Sequence, residues 1–250
     1  MSGHVYIIGL GPGEQNLQTI EVEALLPTLT DIIGYGPYVN RVQVPEHILK
    51  HISDNREELD RARHALLLAQ QGQRVGVVSS GDAGVFAMAS AVFEAIEHGD
   101  PSFKDIEVTV LPGISAMFAA ASRLGAPLGH DFCAISLSDN LKPWEIILKR
   151  LRLAAQADFV IALYNAVSKA RPWQLDTALD LLREELPLDI PVAFCQAISR
   201  DNEHIELTNL KDACASMGNM QTLILIGSRY SKLMQTNQKT WFYTPRSIKL

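Results

Sequence analysis

The sequence predicts an α/β architecture in two parts, a parallel-sheet N-terminal domain over residues 1–138 and a mixed-sheet C-terminal domain over residues 139–250. Three observations carry this. Apolar runs of strand length alternate with longer helical stretches through the first half, the pattern of a parallel sheet whose crossovers are helices. Toward the end, short strand-like segments follow one another closely, which favours antiparallel pairing because parallel strands need long crossovers. With 250 residues and 47% hydrophobic content, the chain can bury one large core or two of about 120 residues each.

In order, strands are expected at residues 4–8, 31–35, 75–79, 108–111 and 132–136, and helices at 20–26, 57–71, 87–97 and 116–124. The helix from 57 is the best marked. Asp54 is placed to cap it with Glu57 at the third position, and Leu59, Ala62, Leu66 and Ala69 repeat on one face. A boundary is expected within "SLSDNLKPW", near Ser138 to Lys142. The pattern then restarts with a helix at 144–157, a strand at 159–164, a helix at 175–185 and a strand at 191–196. Strands at 203–208, 221–227 and 240–244 complete the mixed sheet. No internal repeat or low-complexity segment interrupts the chain.

Twenty-eight acidic against twenty-two basic side chains give a net charge of −6. With no basic run or Arg-rich helix, nucleic acid is not an expected partner, and an anionic ligand needs a local basic patch. Cys133, Cys195 and Cys214 form no CxxC pair. An odd, scattered set fits buried thiols in a reducing compartment, so a cytoplasmic setting is expected. "MSGHVYIIGLGPGE" lacks a charged leader, and no segment reaches the length of about 18 apolar residues of a spanning helix, so no membrane association is expected.

Three strand ends attract attention. "SSGDAG", residues 79–84, follows an apolar strand and enters a helix, with glycines that admit positive φ or close backbone approach and with the unpaired amides of the helix start beyond. An ordinary strand-to-helix connection would read the same way in isolation. "GLGPG", residues 9–13, departs from G-x-G-x-x-G because Glu14 stands at the third glycine, and Pro12 removes an amide that a pyrophosphate would use. No G-x-x-x-x-G-K-[ST] run occurs. Nicotinamide and nucleoside-triphosphate readings are therefore excluded, leaving a rigid, donor-poor turn suited to a flat or uncharged ligand. "LPGISA", residues 111–116, adds a Pro-Gly turn with Ser115 placed to cap the next helix. The carboxyl ends of parallel strands share one edge of a sheet, where ligands bind in this class of fold, so three such turns together point to a site.

Other constellations are weaker. His47 and His51 form an H-x-x-x-H pair without a third ligand, so no metal is expected. No G-x-S-x-G elbow is present, and Ser79 and Ser80 have no neighbouring base in sequence. Cys195 ends an apolar strand and reads as a small buried hydrophobe. Lys169 and Arg171 in "SKARPW" follow a strand end where an anionic ligand could sit, or are solvated loop charges.

Taken with "GYGPYVNRV" (34–42), "SDNREELDRARHALLLAQQG" (53–72), "SSGDAGVFAMASAVFEAIE" (79–97), "DFCAISLSDNLKPW" (131–144), "LYNAVSKARPWQ" (163–174) and "TLILIGSR" (222–229), these turns resemble the tetrapyrrole methyltransferases over nearly the whole chain. Within that family, they resemble the subgroup that methylates precorrin-3B at C17 in cobalamin biosynthesis. The resemblance implies a homodimer of two α/β domains with S-adenosylmethionine in the cleft between them and the tetrapyrrole beside it. It further implies that Pro12, Ser80, Gly81, Asp82, Val85, Ser115 and Ala116 line the cofactor site from the first domain, and Asn165, Ala197 and Thr222 from the second. Ala83 and Ala166 stand where the subgroup usually carries proline, so both loops are expected to be less rigid, with no functional side chain lost.

The implied reaction is methyl transfer to C17 of precorrin-3B with ring contraction to precorrin-4. In-line transfer from a sulfonium rests on alignment and needs no side-chain nucleophile. No residue is marked as the acid or base of the contraction. Arg41, Lys142, Lys169, Arg171 and Arg200 are candidates to meet the substrate carboxylates. Two rivals stay open: methylation of cobalt-precorrin-3 on the oxygen-independent route, and a non-catalytic tetrapyrrole carrier.

Overall fold

The computed structural model describes residues 3–54, 57–168 and 171–247. Backbone contacts divide the chain into two compact units, Met1–Ala116 and Met117–Leu250.

The first unit is built on five parallel strands: β1 (His4–Gly9), β2 (Asp31–Tyr35), β3 (Leu49–Ser53), β4 (Arg74–Ser79) and β5 (Glu107–Leu111), in the order β3-β2-β4-β1-β5. The central strands are apolar throughout because both faces are covered, and their side chains alternate between two cores. Val5, Ile7, Val75 and Val77 pack under helices α3 (Glu58–Gln70) and α4 (Met88–His98). Tyr6, Ile8 and Val78 face the other way, toward Val22 of α1 (Ile20–Leu25), Leu26, Leu29 and Val39 of the short α2 (Gly36–Val39). All five carboxyl ends emerge on one edge, and every turn singled out in the first half of the sequence lies there.

The second unit begins at Met117, within α5 (Ala116–Leu124), and continues into the two-residue β6 (Gly125–Ala126). Its main sheet uses β7 (Phe132–Ser136), β8 (Val160–Tyr164), β9 (Pro191–Gln196), β10 (His204–Asn209) and β11 (Thr222–Ile226), in the order β10-β9-β11-β8-β7. Strands β7 and β8 are parallel; β11 runs antiparallel to both β8 and β9, and β10 antiparallel to β9. Helices α6 (Trp144–Gln156) and α7 (Gln174–Glu185) bury Ile147, Leu151, Leu175, Leu179 and Leu182 against Ile161, Leu163, Val192, Phe194 and Ile224. A small third sheet joins β12 (Lys232–Gln235), β13 (Thr240–Tyr243) and β6.

The parallel first sheet and mixed second sheet agree with the expectation, but the division at Ala116 comes earlier than residue 138. Residues 132–136 pair with β8 through the crossover helix α6, so "SLSDNLKPW" is a loop inside a βαβ unit and not a linker. Strand β3 had no sequence signal because LKHIS is an edge strand whose side chains are largely exposed. Helix α3 begins one residue late, and its buried face is Arg61, Ala62, Ala65, Leu66 and Ala69. Leu59 points to solvent, 42% exposed. Of the expected capping pair, the structure shows the half in which the Asp54 N–H donates to Glu57 Oε2, at 3.2 Å.

Candidate functional site

On the carboxyl edge of the first sheet the three turns are joined main chain to main chain. Gly11 and Gly81 form a two-bond antiparallel bridge, N–H to carbonyl at 3.1 and 2.8 Å. Leu10 N–H donates to the Ser79 carbonyl at 2.9 Å. Gly113 is closer still, since a Cβ there would lie 2.2 Å from the Gly81 carbonyl oxygen and 2.6 Å from that of Gly9, and a Cβ on Gly9 would lie 2.6 Å from Gly113 N. No side chain fits between these backbones.

Asp82 is the side chain that locks this arrangement. Its Oδ1 accepts from Gly84 N–H at 2.8 Å and its Oδ2 from Gly113 N–H at 3.1 Å. Both oxygens serve the protein's own amides, so the carboxylate fixes the second turn to the third. Gly81 has φ of +71°, and the nearest atoms to a Cβ there, on Ser115 and Ala116, are 3.8 Å away. Its glycine answers a left-handed backbone and not crowding. Ser79 Oγ, buried, accepts from Met88 N–H at 3.3 Å and so begins α4. Pro12 and Ser115 are buried, and Val85 and Ala116 half-buried, beside these turns.

Beneath the same edge Arg61 is buried and donates to Ser53 Oγ at 2.7 Å, the Asp54 carbonyl at 2.6 Å and Met88 Sδ at 3.2 Å. Burial holds its guanidinium below the usual arginine range, with Glu58 and Glu57 opposing. The end of β3 is thereby fastened to the start of α4.

In the second unit, the carboxyl ends of β7, β8 and β9 and the amino end of β11 share an edge. Among the described residues, five other than glycine have left-handed φ, and three of them, Asn165 (+53°), Ala197 (+48°) and Ser199 (+61°), follow β8 and β9 here. Asparagine tolerates this conformation; for alanine it costs about 1–2 kcal/mol, and such strain gathers where a backbone is shaped for function. Asn165 Nδ2 donates to Ser136 Oγ at 2.9 Å, joining the ends of β8 and β7. Ala197 N–H donates to the Gln221 carbonyl at 3.0 Å, and Ser199 N–H to Glu203 Oε2 at 2.6 Å. Glu203 is itself paired with Arg123 at 3.3 Å. Thr222 is buried, its hydroxyl accepting from Asn219 N–H at 2.9 Å.

The cations divide. Arg41 stands with its guanidinium carbon 5.6 Å from the Tyr38 ring centre and Nη2 3.4 Å from Ser80 Oγ. Arg171 is committed to the protein, its Nη1 donating to the Asp139 carboxylate and to Asn140 Oδ1, so it anchors the loop after β7. Lys142 is half-buried, and burial, aided by Arg150, lowers its ammonium below the usual lysine range. Arg200 closes the turn after β9, its N–H donating to the Ala197 carbonyl at 3.0 Å. Lys169 lies outside the described residues.

Cys195 is buried, and burial pushes its thiol up to about 12, with Glu203 adding; burial alone pushes Cys133 to about 11. Neither is a nucleophile at neutral pH. His51 Nε2 lies 2.7 Å from the buried Asp31 Oδ1, its edge-on neighbour being His64 and not His47. Sequence reasoning missed Arg61, Ser136 and Glu203. Ser136 carried a signal, as a polar residue ending an apolar strand; Arg61 fell on the charged side of its helix, and Glu203 on the first residue of an expected strand.

The sequence profile of the tetrapyrrole (corrin/porphyrin) methylases matches residues 4–214. A precorrin-3B C(17)-methyltransferase of Sinorhizobium sp is 50% identical over 98% of this chain and 97% of its own. A probable cobalt-factor III C(17)-methyltransferase of Salmonella typhimurium is 37% identical over 98% and 99%. The crystal structure of the methyltransferase CobJ superposes with a TM-score of 0.93 at 51% identity, over 98% of this chain and all of that one. In fold alone, a uroporphyrin-III C-methyltransferase of Thermus thermophilus complexed with S-adenosyl homocysteine is similar, with a TM-score of 0.66 at 22% identity over 90% of this chain and 97% of that one.

Proposed function

The chain belongs to the tetrapyrrole (corrin/porphyrin) methylases, and from that premise we propose that it transfers a methyl group from S-adenosylmethionine to C17 of precorrin-3B, with ring contraction to precorrin-4, in cobalamin biosynthesis. The observation that carries this reading is the joined set of turns on the first sheet's edge. They offer main-chain groups and small buried surfaces, with no lysine and with a proline in the first turn. Such a cradle of main-chain groups and small surfaces suits a sulfonium cofactor, and the three turns themselves carry neither lysine nor arginine.

In this reading, Pro12, Ser80, Gly81, Val85, Ser115 and Ala116 are the first unit's contacts for S-adenosylmethionine, and Asn165, Ala197 and Thr222 are the second unit's candidates. The cofactor supplies an electrophilic methyl group. The chain supplies position: the Gly11–Gly81 bridge and the Asp82 bonds fix the turns before any ligand arrives, and preset geometry is where a displacement of this kind gains its rate. Asp82, with both oxygens on backbone amides, acts as a brace and not as the acid or base of contraction. Arg41, Lys142 and Arg200 meet substrate carboxylates; Arg171 holds the loop that carries Lys142.

A homodimer fits the open edge of β5, which among the described residues pairs with β1 alone and leaves Val110 exposed. Light scattering tests it. Three free cysteines agree with a cytoplasmic setting, and among the described residues no helix is long and apolar enough to cross a membrane. The Salmonella relative favours one rival, a cobalt-loaded substrate, because it is similar over nearly its whole length.

The test is product mass spectrometry with labelled cofactor and metal-free or cobalt-loaded substrate. Label at C17 of a contracted, metal-free product is expected, with no contraction when the cofactor is omitted. Turnover confined to the cobalt-loaded substrate supports the rival. Contraction without cofactor refutes the coupling, and tetrapyrrole binding without any cofactor binding reduces the protein to a carrier.

A further inference from the structure

Beside the "GLGPG" turn, the first unit has a cavity of about 260 Å³ lined by Arg41, Gln15, Gln18, Gln43, Leu26 and Glu23, among others. Complete small-molecule sites usually enclose about 300–1,000 Å³, so this one takes a fragment. Its chemistry is specific. Arg41 supplies a planar fork of donors that matches a carboxylate, and three glutamine amides add neutral donors around it. Leu26 gives an apolar wall for a short methylene stem. Glu23, the acidic side chain among the described lining residues, is exposed to solvent. Arg41 is oriented by Tyr38 and by Ser80, which belongs to the cofactor-type turn.

We infer that this cavity is a subsite for one carboxylate arm of the macrocycle, held by Arg41 and the surrounding amides. The inference rests on the proposed function: an acetate or propionate arm is the part of such a substrate that matches a cavity of this size and polarity. The arm fills the cavity while the ring stays outside it.

The experiment compares wild type with Arg41→Met, Arg41→Lys and Gln18→Glu, reading KM and kcat for precorrin-3B and, by calorimetry, the affinity for S-adenosylhomocysteine. One charge-assisted contact at a partly exposed site corresponds to about tenfold in affinity. Arg41→Met should therefore raise KM about tenfold with kcat changed less than twofold, and Arg41→Lys should recover part of that loss. Gln18→Glu, a polar substitution at a half-buried position, should raise KM at least as much by placing a negative charge on the wall. S-adenosylhomocysteine affinity should stay within about twofold throughout. Wild type that does not turn over precorrin-3B overturns the proposed function itself. Active wild type with an unchanged KM in Arg41→Met or Gln18→Glu overturns the subsite alone. A parallel loss of S-adenosylhomocysteine binding in Arg41→Met overturns it too, by assigning Arg41 to the cofactor turn through Ser80.

Discussion

Substituting Gly113 by alanine adds one methyl group where three backbones meet. Its Cβ would stand 2.2 Å from the Gly81 carbonyl oxygen and 2.6 Å from that of Gly9, whereas ordinary contact begins at 3.4 Å. The second and third turns must part by about 1.2 Å to accept it, because neither contact is with a side chain that could rotate away. That separation exceeds the tolerance of the Gly113 N–H bond to Asp82 at 3.1 Å and strains the Gly11–Gly81 bridge. Losing a charge-assisted bond and one or both neutral bonds costs about 2–5 kcal/mol. The melting temperature should fall by roughly 2–4 °C for each of these kcal/mol, and S-adenosylmethionine affinity should fall with it as the cradle opens. Gly84→Ala is the control, since its Cβ would meet only Asp82 Oδ1, at 3.3 Å, and it should cost less than about 1 kcal/mol. Differential scanning calorimetry and cofactor titration read both variants. A Gly113→Ala protein with the melting temperature and cofactor affinity of its parent would falsify the joined-turn account.

Other expectations follow from the same geometry. Asp82→Asn keeps shape but can accept through only one oxygen, so it should destabilise by about 1–3 kcal/mol and weaken cofactor binding equally at low and high ionic strength; a loss confined to low salt would restore a through-space role for the charge. Arg61→Met removes the donors to Ser53 and Asp54 and should cost about 2–4 kcal/mol in urea unfolding, a change below about 0.5 kcal/mol showing that the clasp is idle. Cys214, exposed, should react with a disulfide reagent at neutral pH while Cys195 and Cys133 react only on unfolding. Because the fold raises the Cys195 thiol from 9.0 to about 12, the unfolded chain releases that proton first. Stability is therefore undiminished below pH 9.0 and declines toward pH 12, and Cys195→Ala should flatten part of that decline.

The alternation of strand and helix, and with it both sheets, was legible because Val5–Ile8 and Val75–Val78 are apolar on every residue and the helices between them are amphipathic. The unit boundary was not, because "SLSDNLKPW" has a linker's composition while its place inside a βαβ unit depends on pairing between β7 and β8. At the site, the sequence marked three turns that the fold brings together on one edge, and left the part each residue plays in them open. The glycines of the second turn admitted either positive φ or close approach; Gly81 takes the left-handed conformation, whereas the crowding falls on Gly9 and Gly113. Asp82, implied at the cofactor site, also braces the turns by accepting from two backbone amides, which local sequence does not reveal. The left-handed Ala197 had no local signal at all, since its conformation is imposed by neighbouring strand ends.

The turns on the first edge have a practical corollary for anyone mapping this protein by mutagenesis. An alanine scan probes what side chains contribute by deleting them, yet here the decisive feature is the missing β-carbons at Gly9 and Gly113, with a left-handed Gly81 between them. Truncating Ser80 or Val85 would leave that backbone imprint standing, and reagents that label side chains would pass over it. The informative scan runs in the opposite direction, adding single atoms to the glycines and asking which of them the edge refuses.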